Sequence, residues 1–266
     1  MDAWPREMFE RYAADRRTLA IPGYTVHASP DLTHQHPKPP ETEALFAFAR
    51  FAPQTADSRI DEELRQLRLR GWEAEWKVHD FDEPADLKAR LEARGLRAHH
   101  EEALMVLDLE TAAVPDAIDA SPMIERAQGD ALDAMAAFQE RIWNISLPWL
   151  PATLREMAHP QTGTALICFA RDGEQVVASG WIDFMPGSAF AQLCGGAVLV
   201  AYRGRGIYSR LFARRVAEAR RRGVRFVAVD AAPMSRPILE KKGFRFVCRT
   251  YPMRTRPYDT SAVTRG

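Results

Sequence analysis

Residues able to do chemistry gather in one short stretch, Val198-Leu199-Val200-Ala201-Tyr202-Arg203-Gly204-Arg205-Gly206-Ile207-Tyr208-Ser209-Arg210-Leu211. An apolar run leads into an Arg-Gly-Arg-Gly turn, and the turn opens an amphipathic helix with Ile207, Leu211, Phe212, Val216 and Ala219 on one stripe. The start of a helix leaves about four backbone N–H groups without intrahelical partners and carries roughly half a positive charge, so it receives anions. Glycines at 204 and 206 let the chain turn sharply and let phosphate oxygens approach the amides. The ligand these residues predict is a phosphorylated cofactor, with Arg203 and Arg205 either serving it or standing as solvated turn residues. A Walker-type phosphate loop is excluded because Gly-Lys-Ser/Thr is absent. A dinucleotide fold would place such a turn near its beginning and add a third glycine.

The turn needs strands around it. Behind the helix, which spans 207–222 and stops at Gly223, residues 224–229 (VRFVAV) are apolar on both faces, as a central strand is. A short helix over 235–242 follows, with Ser235 at its N-cap and Pro237 in its first turn, then Gly243 and a strand over 244–251. Upstream, 123–126 reads as a short strand, 130–143 as a helix and 153–157 as a helical turn. Strands at 165–170 and 175–183 flank Arg171-Asp172-Gly173-Glu174, where Asp-Gly signals a hairpin, and another strand spans 190–200.

The first half repeats the later order: a strand over 45–51, a helix over 60–70 ended by Gly71, a strand over 72–79, a helix over 82–94 ended by Gly95, and a strand over 103–109. This fits a duplicated unit, although any two αβαβ runs share such an order. It lacks the glycine turn, for Ala52-Pro53-Gln54-Thr55-Ala56-Asp57 puts a carboxylate where phosphate would lie. This half is therefore expected to bind no such phosphorylated cofactor and to serve structurally, extending the sheet or covering a groove of the later half. Residues 33–40 (THQHPKPP) and 110–122 are soft stretches, and the second marks the expected boundary between domains 1–115 and 122–256.

The order of elements and the turn together resemble the GNAT family of N-acetyltransferases. The family's signature, Gln/Arg-x-x-Gly-x-Gly/Ala, is matched at Arg203 and Gly206 and departs at its last place, Tyr208, which alters a side chain and leaves the amide. Gly243-Phe244 resembles the family's closing pair. The likeness spans 122–251, whereas 60–109 resembles only the later part of such a domain. It implies an α/β (α+β) chain with the GNAT acyl-CoA N-acyltransferase fold, a mixed central sheet flanked by helices. A partial, degenerate GNAT-like N-terminal domain precedes it in tandem.

The same resemblance implies acetyl-CoA as cosubstrate. Its pantetheine arm would pair with the main chain of Val198, Leu199 and Val200, and its pyrophosphate would sit on the amides of Arg203, Gly204, Arg205, Gly206, Ile207 and Tyr208. Ser235 and Arg236 would add contacts, unless Ser235 is only a helix cap. Amide formation needs a neutral amine, and a lysine-like amine has a pKa of about 10.4, so a base or water chain is required. Where the family often carries a glutamate, this strand offers Gln192 and Cys194; Gln192 can orient the acceptor or a water, and Asp183 is the nearest carboxylate, or else a turn residue. The place of the family's tyrosine acid holds Leu239, leaving Tyr208 and Tyr251 as candidates. Trp143 and Trp149, within 142–151, would line the acceptor groove or pack as core. The activity expected is transfer of an acetyl group to a primary amine by direct attack in a ternary complex. A different acyl group or acceptor, or a non-catalytic acyl-CoA sensor, remains an alternative.

Totals narrow the partners. Of 266 residues, 36 are Lys or Arg and 36 Asp or Glu, so no global field draws the chain to nucleic acid or an anionic membrane. The expected partners are a small-molecule or peptide amine and, as an option left open, a second copy in a homodimer. Without a signal-like segment or a long apolar run the chain reads as cytoplasmic. Cys168, Cys194 and Cys248 suit buried thiols rather than disulfides or a zinc cage. No metal is expected; His34 and His36 read as surface histidines, and the arginines of 214–222 as a solvated helix face.

Overall fold

The structure, a computed structural model, describes residues 3–19, 21, 23–39, 41–98, 100–112, 124–161 and 163–256. The chain opens with α1 (Trp4–Thr18), β1 (Tyr24–Ala28), β2 (Leu32–Pro37), β3 (Glu43–Ala49), α2 (Ala56–Arg70), β4 (Glu73–His79), α3 (Leu87–Ala93), β5 (Arg97–Ala98) and β6 (Glu102–Asp108). It continues with β7 (Glu125–Arg126), α4 (Ala131–Trp143), α5 (Leu150–Ala158), β8 (Ala165–Asp172), β9 (Gln175–Phe184), β10 (Phe190–Val198) and α6 (Ile207–Arg221). β11 (Phe226–Ala231), α7 (Arg236–Glu240) and β12 (Arg245–Arg254) complete it. Among the described residues two compact units result, one running to Val106 and taking in 230–256, the other Leu107–Val229. Residues 113–123, which hold most of the stretch expected to divide the domains, lie outside the described residues.

In the first unit the strands run in the order β1-β2-β3-β4-β12-β6, with β5 beside β12. The stripe Ile60, Leu64, Leu67 gives α2 a buried face, and α2 carries the chain from β3 to its parallel neighbour β4, where Phe46 stands opposite Trp76. These two rings stack with centroids 4.2 Å apart, and Phe51 meets Trp76 edge-on. β12 inserts antiparallel between β4 and β6. Lys77 is held by Glu102 and Asp230, each 3.0 Å away; the two carboxylates outweigh burial and keep its ammonium well above the ordinary lysine range.

Several expectations for this unit change. The helix foreseen over 82–94 is confined to α3, because Glu83 pairs with the end of β3 instead: its N–H donates to the Ala49 carbonyl (3.1 Å) and its carbonyl accepts from Phe51 (2.9 Å). The soft stretch 33–40 is largely strand β2, paired with both β1 and β3. His34 and His36 are accordingly half-buried, not surface residues. With His27 they form a ring cluster, centroids 4.1 Å apart for His27–His36 and 4.5 Å for His34–His36, and burial and the neighbouring rings push His36 down to about 4.

The second unit is a mixed sheet in the order β11-β10-β9-β8-β7, parallel between β10 and β11 and antiparallel elsewhere. The Asp-Gly hairpin forms as read, with Asp172 opposite Gln175. Ile167 and Phe169 pack with α4 and α5, while Cys168 between them faces Arg215 of α6, so helices cover both sides. The helical turn at 153–157 is part of a longer helix that opens at Leu150 with Pro151 in its first turn. The strand expected over 190–200 stops at Val198, and Val200–Tyr202 forms a single 3-10 turn.

Candidate functional site

The turn between β10 and α6 is held open by its own hydrogen bonds. Tyr202 N–H closes onto the Leu199 carbonyl (2.9 Å) and Arg203 N–H onto that of Val200 (3.2 Å); within the helix start, Arg210 N–H bonds the Gly206 carbonyl at 3.1 Å. Among the described residues the N–H groups of Gly204, Arg205, Gly206, Ile207 and Tyr208 thus find no protein acceptor. Gly204 (φ 74°) and Gly206 (φ 77°) occupy the left-handed region that L side chains avoid, and a Cβ added to either would meet open space. Arg203 donates from Nε to the Val198 carbonyl (3.3 Å). Arg205 lies over the Tyr202 ring, whose hydroxyl bonds Asp172 at 2.7 Å. A run of amides without protein acceptors is a donor set suited to an anion such as a diphosphate.

Of the three residues expected to pair with an extended arm, Leu199 is occupied: its N–H donates to the Val177 carbonyl at 2.9 Å and its carbonyl takes Tyr202. Val198, opposite Ala178 and one residue before that rung, turns its N–H and carbonyl away from β9. Val200 lies in the 3-10 turn and is exposed. On its other side β10 registers with β11 only through Phe190–Phe226, Ala191–Val227 and Gln192–Ala228. Beyond Gln192, β10 bulges between Cys194 and Ala197. Gly195 (φ 58°) makes the bulge, and a Cβ there would lie 1.9 Å from the Trp181 ring.

Two buried polar side chains grip this bulge. Gln139 of α4 donates from Nε2 to the Gly195 carbonyl (2.7 Å) and to Ser179 Oγ (2.6 Å), while its Oε1 accepts the Trp143 indole N–H at 2.8 Å. Arg215 of α6 is 1% exposed and donates from Nη1 to the carbonyls of Trp181 (3.2 Å) and Cys194 (3.4 Å), and from Nε to Leu211 (3.0 Å). The solvated face expected for 214–222 therefore fails at Arg215. Its signal was present: Leu211 and Ala219 lie four residues to either side, so the apolar stripe runs through it. Gln139 carries a similar mark, a polar residue beside Met135, Ala136 and Phe138 on the buried stripe of α4.

The candidate catalytic residues fall at two places. Gln192 and Asp183 stand directly opposite each other on β10 and β9, and Asp183 Oδ1 accepts the Phe184 N–H at 2.9 Å. Tyr208 lies at the bulge instead, its ring 3.4 Å from where a Gly196 Cβ would be, about 13 Å along the strand from Gln192. Trp143 and Trp149 are 44% and 40% exposed, which sets aside the core-packing alternative; buried Ile145 and Leu147 anchor the link between them, and Leu147 N–H bonds Glu140 at 2.6 Å. Ser235 and Arg236 belong to the first unit. Ser235 makes no side-chain cap, and α7 is shorter than expected, with Arg236 bonded to Glu240 at 2.9 Å. Leu239 is 1% exposed, a packed core residue, and Tyr251 bonds Glu101 at 3.2 Å. Among the described residues no group of three His, Cys, Asp or Glu side chains is placed to hold a metal ion, and no helix is long and apolar enough to cross a membrane.

Residues 131–244 match the family model for the GNAT acetyltransferases. No curated protein matches the chain in sequence. Solved structures match its fold at low identity over nearly its whole length. A GCN5-related N-acetyltransferase from Kribbella flavida superposes with a TM-score of 0.67 at 13% identity, covering 95% of this chain and 96% of its own. A tandem GNAT protein from the clavulanic acid biosynthesis pathway gives 0.56 at 14%, covering 97% and 98%. A GCN5-related N-acetyltransferase from Sphaerobacter thermophilus gives 0.55 at 18%, covering 85% and 77%. Residues 131–244 thus match the GNAT acetyltransferase family model, and the fold of the chain is that of solved GNAT proteins, a tandem one among them.

Proposed function

We propose that this chain transfers an acetyl group from acetyl-CoA to a primary amine, by direct attack of the amine on the thioester in a ternary complex. The observation that carries this reading is the open turn at 204–208 within the family segment, whose amides lack protein acceptors. They would hold the diphosphate, with Arg203 and Arg205 adding charge at its edge. The pantetheine arm would run along the outward-facing main chain of Val198, where β10 has left β11.

The amine reaches the thioester neutral, and Asp183 is the group proposed to take its proton through a chain of waters that Gln192, across the strand pair, helps to orient. Tyr208, at the bulge, is the proposed acid for the departing sulfur. Trp143 and Trp149 would form the wall that selects the acceptor, a small molecule or peptide amine, since exposed indoles offer large, stiff apolar surface.

A second reading, a non-catalytic acyl-CoA sensor, is favoured by Gln192 in place of a carboxylate and by the burial of Leu239. Thiol release from acetyl-CoA over a panel of primary amines separates the two. Turnover with any amine is expected, and tight coenzyme binding with no turnover across the panel would establish the sensor.

A further inference from the structure

Arg215 is a buried cation without a counter-ion. Among the described residues no carboxylate pairs with it, and its Nη2 is buried with no hydrogen-bond partner. The ionisable groups facing it are Tyr208 on its own helix, Cys168 of β8 and Cys194 of β10; β9 contributes none. The sequence also makes room for it. A Cβ on Gly180 would lie 2.8 Å from Nη1 and 3.0 Å from Cζ, and one on Gly196 would lie 3.6 Å from both Nη atoms. Leaving a charge uncompensated in the interior is costly, and apolar residues of similar volume are often neutral or stabilising in such places. Packing alone therefore does not account for an arginine here.

Its position offers an account. Arg215 touches the bulge through the Cys194 carbonyl, and Gly196 is flanked by Arg215 and by Tyr208. An arm that pairs with Val198 and runs toward the start of β10 reaches Gly196 two residues on, about 7 Å. We infer that Arg215 is a positioning residue that fixes the bulge and, through it, stabilises the negative charge on the coenzyme sulfur as the thioester breaks. This rests on the reading above. In the step, the amine lone pair bonds to the carbonyl carbon and the C–S bond breaks with its electrons on sulfur, which Tyr208 then protonates. The surplus amine proton leaves to water and through it to Asp183. A main chain held in place by a buried cation need not reorganise when the charge appears beside it.

The test needs no acceptor. Coenzyme A is bound to the full chain and its thiol titrated by ultraviolet absorbance of the thiolate, in the wild type, R215M, R215Q and R215K. The bound thiol should ionise about one pH unit higher in R215M and R215Q, a tenfold change, with R215K returning most of the shift. Coenzyme affinity by calorimetry should change by less than about twofold. With a reactive amine, kcat should fall about tenfold in the neutral variants at unchanged KM for acetyl-CoA. Equal ionisation in wild type and R215M, or R215K behaving as R215M does, overturns the inference and leaves Arg215 a packing residue. Should R215M lose its fold, the comparison of R215Q with R215K decides by the same criterion. If the wild type binds no coenzyme A, the proposed function falls, and this inference with it; if it binds and the thiol is indifferent to residue 215, only the inference falls.

Discussion

The crossovers from β3 to α2 and from β10 to α6 follow one backbone plan, a strand, a turn, a helix and a parallel strand, and put it to opposite uses. At the first turn Thr55 and Ala56 both donate to the Ala52 carbonyl at 3.0 Å, Pro53 has no N–H, and Asp57 brings negative charge to the helix start. At the second, the amides of 204–208 have no such acceptor and two glycines keep side chains away. The strand pairs differ in the same sense. Phe46, Phe51 and Trp76 fill the space beside β3 and β4, whereas β10 leaves β11 after Gln192 and bulges over a buried arginine. Closure of the first crossover suits a structural element, and openness of the second suits a ligand.

Breaking the closed crossover should have the largest effect. Trp76→Ala removes a ring that is fully buried and stacked, and should destabilise the first unit by about 3–5 kcal/mol in urea unfolding; a loss below about 1 kcal/mol would show that the aromatic plug is not what closes it. Blocking the open crossover comes next. Gly206→Asp places a carboxylate, on a residue strained at φ 77°, where the diphosphate should rest. Acetyl-CoA affinity by calorimetry should drop about 100-fold, or about 2.7 kcal/mol, and unchanged affinity would remove the turn from the proposal.

The smallest effect concerns the strands beside α2. Folding lowers His36 from its ordinary value to about 4, so the unfolded chain binds the more protons between about pH 6.5 and 4. The stabilising contribution of neutral His36 is complete above about pH 6.5 and fades as pH falls through that window. His36→Asn should therefore flatten the pH dependence of thermal unfolding there, and an unaltered slope would mean the cluster is not felt.

Sequence patterns revealed the elements whose burial is one-sided. The stripe of α6, the Asp-Gly hairpin and the glycine turn stand where their residue types put them, because each rests on local chemistry. What escaped depends on partners remote in the chain. Residues 33–37 are polar, but Thr33 and Gln35 are buried beside β1 and β3, so composition hid a strand. Asp82 and Glu83 carry helix-like signals, but Asp82 turns back onto His79 (3.0 Å) and Glu83 pairs with the end of β3. The bulge at Gly195-Gly196 was concealed inside an apolar run, and with it the two polar residues that grip it. Arg215 was misplaced since a charge within a cationic run is ordinarily solvated, although the stripe of Leu211 and Ala219 runs through it, and its neighbours Gly180 and Gly196 then reveal the hole it fills.

The insertion of β12 between β4 and β6 carries a consequence for how this protein is made. Both of those strands leave the ribosome long before Arg245–Arg254 does; at a synthesis rate of about 5–20 residues per second, roughly 7 to 27 seconds separate β6 from its neighbour. Throughout that interval the nascent amino-terminal region carries two raw strand edges that no later-made segment has yet covered, a template for mispairing with other chains. Completion of the first-made part of this polypeptide thus waits on the last-made strand, and cells that produce it in quantity should lean on chaperones during translation more heavily than for a chain whose domains close in order.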